Sequence, residues 1–166
     1  MLRLLKHLFT TGFQTRRLFS KKTLQNITEA VKGSEKKHRG EIRVCIESSL
    51  SPSMIFRGFT GKDRAVDMFS FLRVWDTEEN NGILIYILVA DHDIEILADR
   101  GIVKHAPGHF WEEICKEIEV KFKEKRFEDG IIHAIDHIGL LLQEKYPISG
   151  AEKPDENELP DQPHIV

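Results

Sequence analysis

Two cysteines among 166 residues exclude a disulfide framework. Cys45 sits in an apolar, strand-like run and Cys115 in a helix-like one, so both read as core filler rather than redox groups. No stretch approaches the ~20 consecutive apolar residues of a membrane-spanning helix. The first residues contain no apolar core ending in a small-residue cleavage site, which argues against a secretory signal. Also missing are a nucleophile elbow, a phosphate loop, a Rossmann glycine fingerprint and a cysteine cluster, so no motif demands an enzyme.

Acidic residues are scarce at one end. MLRLLKHLFTTGFQTRRLFSKK, residues 1–22, has none, and its Leu2, Leu5, Leu8, Phe9, Phe13, Leu18 and Phe19 alternate with Arg3, Lys6, Arg16, Arg17, Lys21 and Lys22. Residues 1–40 hold ten Lys/Arg against Glu29 and Glu35, a balance of +8, while the remainder holds 14 against 25 acids, a balance of −11. An acidic body disfavours nucleic acid, because phosphate contacts need a basic face rather than one basic arm. A basic amphipathic arm fits an anionic membrane surface, or it folds back on the domain; a mitochondrial transit peptide shares its composition. With a bacterial source, the chain is expected in the cytoplasm, peripheral to the membrane where the arm docks.

The length suits one domain with tails. Residues 148–166, rich in proline and acids, cannot bury enough apolar surface to offset their ordering entropy and are expected to form a disordered tail. Between the tails, residues 23–147 change hydrophobic period repeatedly. Leu24, Ile27, Ala30 and Val31 recur at helical spacing behind a Ser20 or Thr23 cap. EIRVCIES alternates as a strand. Ala65, Val66, Phe69, Leu72 and Val74 mark a second helix within 62–74. GILIYILVA is apolar enough to be covered on both faces, and HDIEILAD returns after a tight turn as its antiparallel partner. Two helices follow, one through Phe110, Trp111, Ile114, Ile118 and Phe122, the other through Ile131, Ile135, Ile138, Leu141 and Leu142. The order helix-strand-helix-strand-strand-helix-helix, with a right-handed crossover between parallel strands, predicts a three-layer α/β/α sandwich around a small mixed sheet.

That topology brings the start of the first strand, the start of the second and the end of the third to one edge. Glu41, Asn80, Asn81 and Gly82, and Asp99, Arg100 and Gly101 meet there, with Asp76 in the preceding loop. Glycines admit close backbone approach or positive φ. Carboxylates and Asn carbonyls suit Ca²⁺ or Mg²⁺, assigning Glu41, Asp76 and Asp99 as metal ligands, and Arg100 suits an anion. The rival is the opposite edge, where Glu47, Ser48 and Ser49 lie near Asp91 and Asp93, since ligands of open α/β sheets favour the carboxyl ends of strands. Ser48 or Ser49 with His92 is the sole nucleophile–base pairing on offer, and no catalytic residue is assigned. His133 and His137 have metal-ligand spacing on a helix, but Ala134 stands where a zincin motif has Glu. His105 and His109 share the spacing, with Pro107 and Gly108 between them.

GEIRVCIE after a capped helix, RAVDMFSFLRVWDTEENNGILIYILVADHDIEILADRGI, HFWEEI and RFEDGIIHAIDHIGLLLQEKYP resemble, in order and spacing, the TPM domain family over about residues 24–147. The resemblance implies the same α/β/α sandwich. It also implies one of the family's roles: thylakoid proteins of photosystem repair with weak acid phosphatase activity, membrane-associated bacterial proteins, or a receptor-associated animal protein. Some members bind Ca²⁺ or Mg²⁺ at an acidic site. The likeness is to stand-alone bacterial domains, without the carboxy-terminal spanning helix and glycine-rich tail of many relatives. It carries over to Glu41 of GEI, Asn81 of NNG and Asp99 of ADRG. Two classes stay open: a non-enzymatic cation-binding or interaction module with an unknown protein partner, and a metal-dependent acid phosphatase acting on phosphomonoesters.

Overall fold

The computed structural model describes residues 2–106, 108–148 and 157–166. Pro107 and the stretch 149–156 of the expected tail lie outside them.

Strand β1 (Glu41–Glu47) is central and buried along its whole length. It pairs in parallel with β2 (Gly82–Leu88), Glu41 opposite Gly82 and Glu47 opposite Leu88. Strand β3 (Asp93–Ala98) runs back antiparallel on β2, with Ile83 opposite Ala98. Between β1 and β2 the chain crosses over through helix α5 (Gly61–Phe71), started by a Thr60–Asp63 capping box. Alternation along the strands sends Ile42, Val44, Ile46, Ile83, Ile85 and Ile87 to one face. There they meet α3 (Lys21–Glu35), α7 (Phe110–Lys123) and α8 (Phe127–Lys145). Cys45, Leu84, Tyr86 and Leu88 point the other way, against Ala65 and Met68 of α5. Helices thus cover both faces, as the apolar run GILIYILVA required. At about 1.5–3 kcal/mol per fully buried large apolar side chain, residues 83–88 outweigh any rim ion pair, worth about 0–1 kcal/mol. Burial also pushes the Cys45 and Cys115 thiols up to about 12, where they stay protonated inside the fold.

The sheet differs from expectation by one strand. His164–Ile165 forms β4, parallel to β1 with Cys45 opposite His164, so the order is β3-β2-β1-β4. Residues 157–166 are therefore not the disordered tail that composition predicts. The reason is polar: the buried Arg43 guanidinium donates to the carbonyls of Pro160 and Gln162, and the Glu41 carboxylate accepts from the amides of Glu158 (3.2 Å) and Leu159 (3.1 Å). A tail poor in side-chain hydrophobicity is held by its backbone and by one buried side chain, Leu159, in the cluster on the α5 face. Val74 also leaves the helical face assigned to it, because α5 ends at Phe71 and Arg73 turns with a φ of 56°.

The amino-terminal segment folds as α1 (Leu2–Phe9) and α2 (Gly12–Leu18), and short helices α4 (Pro52–Phe56) and α6 (Arg100–Val103) occupy ground that shows no periodicity in sequence.

Where β4 has not yet joined β1, the Ile42 amide donates instead to Glu35 at 3.0 Å. Burial pushes Glu35 up to about 9 against the pull of that amide, and the carboxylates of Glu41 and Asp161 add to the rise. Buried His38, bonded to Ser34 (2.8 Å), is lowered by burial to about 4. A raised carboxyl contributes stability in full below its ordinary value of 4.5 and loses it as pH climbs through about 9. His38 acts with the opposite sign and only below its ordinary 6.5, so above that Glu35 is no longer opposed by it. The denaturant midpoint is expected to fall between pH 6.5 and 9, and to fall less in Glu35→Gln. Parallel declines in the two proteins would refute this role for Glu35.

Candidate functional site

The backbone brings the predicted edge together. Glu41 donates its amide to the Asn81 carbonyl (3.3 Å), Asp99 to the Gly82 carbonyl (2.9 Å), and Gly101 to the Asn80 carbonyl (3.0 Å). Three chain segments are stitched side by side where β1 and β2 start and β3 ends.

The side chains part company. Glu41 stands out of phase with Ile42, so its carboxylate lies on the α5 face, where the amides of Glu158 and Leu159 hold it. Asn81 is in phase with Ile83 and turns toward the face of α3 and α8. Its amide nitrogen donates to the Arg39 carbonyl (2.5 Å) and to Glu79 (3.4 Å), and its backbone amide to Thr77 Oγ1 (3.0 Å). These bonds fix the amide's orientation and leave Oδ1 buried. Asp99 caps α6, accepting from the Arg100 amide through Oδ1 (2.6 Å). Among the described residues no hydrogen-bond donor reaches Asn81 Oδ1 or Asp99 Oδ2, although both atoms are buried.

Arg100 Nε donates to Asn80 Oδ1 (2.9 Å), and Arg39 pairs with Glu79 (2.7 Å), so both cations are engaged within the edge. Tyr146 of the α8 cap donates to the Gly101 carbonyl (2.7 Å). Asp76 is exposed and paired with the exposed Arg73 at 2.5 Å. The glycines serve the protein's own backbone: a Cβ on Gly82 would overlap the Val74 carbonyl, and one on Gly101 the carbonyls of Asn80 and Glu79. The positive φ falls on Asn80 (53°), a residue type that tolerates it. The edge thus holds two orphan side-chain oxygens, Asn81 Oδ1 and Asp99 Oδ2, and the carbonyls of Asn80 and Glu79 close to Gly101, all of them hard oxygen donors.

The opposite edge is bound up with the arm. Arg3 reaches Asp91 (2.8 Å) and the Phe59 carbonyl (2.7 Å), His7 Nε2 lies 3.0 Å from Asp91, and His7 Nδ1 accepts from the Leu50 amide (2.9 Å). Burial alone would raise Asp91, but Arg3 and His7 hold it below the usual carboxylate range. Glu47 accepts from Arg64 Nε and the Tyr86 hydroxyl, both at 2.8 Å. A groove of about 510 Å³ remains, bordered by His7, Thr11, Glu47, Ser49 and Arg64. Ser48 Oγ donates to the Val166 carbonyl (3.3 Å) rather than to a histidine. A serine–histidine hydrogen bond does exist between Ser34 and His38, but both are buried in the packing of α3 on α8.

Sequence reading missed Glu35, Arg43, Arg64 and Asp161 as polar groups of the sheet, because hydrophobic periodicity does not report which polar atoms the fold brings together. It also missed Glu117 as the third member of the His133–His137 pair on the helical layer. Glu117 of α7 comes within reach of His133 and His137 of α8, with their ligand atoms all within 4.8 Å of one another.

No curated protein matches the chain. Among solved structures it is similar to the NMR structure of BA42 protein from the psychrophilic bacterium Bizionia argentinensis. The identity is 30%, the match covers 89% of this chain and 94% of that one, and the TM-score is 0.75. The TPM domain matches residues 13–140, from α2 to within α8, and the chain belongs to the TPM domain family.

Proposed function

We propose that this TPM domain is a divalent-cation-binding module, with its site at the edge formed by Asn81, Asp99 and the carbonyls around Gly101. The observation that carries the proposal is the pair of buried oxygens, Asn81 Oδ1 and Asp99 Oδ2, without a donor among the described residues. Each such atom costs about 1–3 kcal/mol unless something satisfies it, and a hard cation does so for several oxygens at once. Ca²⁺, which accepts mixed carboxylate, amide and carbonyl oxygens in flexible geometry, suits the edge better than Mg²⁺. Glu41 and Asp76 then act outside the site, Glu41 as an anchor for residues 158–159 and Asp76 as a surface ion pair.

A second observation supports a membrane-peripheral setting. The arm buries His7, Thr15 and Phe19, while Leu2, Leu5, Phe9 and Phe13 are exposed beside exposed Lys6, Arg16 and Arg17. Outward apolar side chains flanked by cations match the pattern of interfacial helices. Among the described residues no helix is long and apolar enough to cross a membrane.

NMR titration with Ca²⁺ and, separately, Mg²⁺ tests the site. Saturable shifts are expected at Asn81, Asp99 and Gly101, with affinity on the order of 0.1–1 mM for so few charged ligands. Asp99→Asn keeps the α6 cap and should weaken binding about tenfold or more. Shifts centred on Asp91 and Asp93, or none at millimolar cation, would sink the proposal; phosphoester turnover lost in Asp99→Asn would instead favour a metal-dependent phosphatase. For the arm, sedimentation with phosphatidylserine vesicles should carry the full chain down, and Phe9→Glu/Phe13→Glu should leave it in solution. Equal partitioning of the two proteins would defeat membrane docking.

A further inference from the structure

We propose that Glu117, His133 and His137 form a separate site for a divalent transition metal of the zinc class, clamping α7 to α8. His133 and His137 stand one helical turn apart on α8, with ring centroids 4.2 Å from each other. The zincin spacing lacks its Glu because Ala134 is buried against the core. The third donor arrives from the neighbouring helix: Glu117 Oε2 lies 2.6 Å from His133 Nε2 and 3.5 Å from His137 Nδ1.

Around a tetrahedral Zn²⁺ with bonds of about 2.0–2.2 Å, ligand atoms sit about 3.4 Å apart. The Glu117–His137 separation already matches. The Glu117–His133 separation is that of a hydrogen bond, and it needs to open by less than about 1 Å for a metal to take the proton's place.

The scaffold is rigid. Glu117 precedes buried Ile118, and the histidines flank buried Ala134, Ile135 and Ile138. Gly130 lets α8 approach so closely that a Cβ there would press on Phe122 and Ile118 of α7. Ligands carried on two interlocked helices keep their geometry better than ligands on loops. Two imidazoles and one carboxylate leave a fourth position open to water. This donor set selects zinc-class metals, in contrast to the all-oxygen sheet edge.

The test uses the full chain and the metal alone. Calorimetric titration with Zn²⁺ should show one equivalent bound per chain, and Co²⁺ should give a visible ligand-field spectrum of tetrahedral type. His137→Ala and Glu117→Gln should each weaken Zn²⁺ binding by at least about 100-fold, the upper end of what outer-shell substitutions cost. All three residues are partly exposed, so both variants should keep the parent's circular dichroism, and Glu117→Gln serves if the histidine variant fails to fold. Absence of Zn²⁺ binding overturns the proposal. So does binding that survives in both variants, or binding lost in Asp99→Asn or Cys115→Ser while Glu117→Gln retains it.

Discussion

Strand β1 carries three charged side chains, Glu41, Arg43 and Glu47, into the buried layer between the sheet and α5, and the rest of the molecule is arranged around satisfying them. A buried charge without a partner costs far more than any surface pair returns. Arg43 and Glu41 therefore need residues 158–162, whose carbonyls and amides satisfy both. Once that segment is anchored, β4 can close the open edge of β1. Glu47 needs Arg64 and Tyr86, which ties α5 and β2 to the same strand. Burial lowers Arg43, while the nearby Asp161 raises it. Glu35, sharing that neighbourhood, takes the opposite course and stays protonated over most of the physiological range.

The two ends of the β2–β3 hairpin are consequently unequal. At the carboxyl ends of the parallel strands, where open α/β sheets usually place ligands, Glu47 is matched by Arg64 and Asp91 by Arg3 and His7, while burial, with the neighbouring carboxylates of Asp91 and Glu119, raises Asp93. At the other end the cations are taken up locally, Arg39 by Glu79 and Arg100 by Asn80, while Asn81 Oδ1 and Asp99 Oδ2 keep acceptor capacity. Those two acceptor oxygens, rather than the topology alone, are what supports the proposed amino-terminal site.

Periodicity carried the core because it reports burial directly. The isoleucines of β1 and β2 and the apolar rows of α3, α7 and α8 are legible from spacing, and with them the α/β/α layering. The tail was hard to read for a physical reason: what orders 157–166 is backbone hydrogen bonding to Arg43 and Glu41 together with one buried side chain, Leu159, and a single apolar residue in a polar stretch makes no periodic pattern. The same limit applied at the edge. Strand order brought Glu41, Asn81 and Asp99 together along the backbone, but the two-residue period also places Glu41 and Asn81 on opposite faces of the sheet, a consequence that only the register Glu41 to Gly82 makes plain. Glu117 had no signal, since its helix shows apolar periodicity and its partners lie 16 and 20 residues further on.

The two proposed sites offer different donors, and donor type would keep their metals apart. Oxygen-only surroundings with one formal charge hold Ca²⁺ weakly and hold zinc-class ions no better than solvent carboxylates do, whereas imidazole nitrogens discriminate strongly against Ca²⁺ and Mg²⁺. The positions differ mechanically as well. Asn81 and Asp99 sit where loops meet strand ends, joined by single backbone hydrogen bonds, so a cation there would act on the short segments 76–81 and 99–103. His133, His137 and Glu117 sit on the outer side of two helices whose inner sides form part of the main core, so a metal there would act on the helical layer as a whole. An ion at the edge changes a local surface that a partner could recognise; an ion on the helices changes the cost of separating α7 from α8.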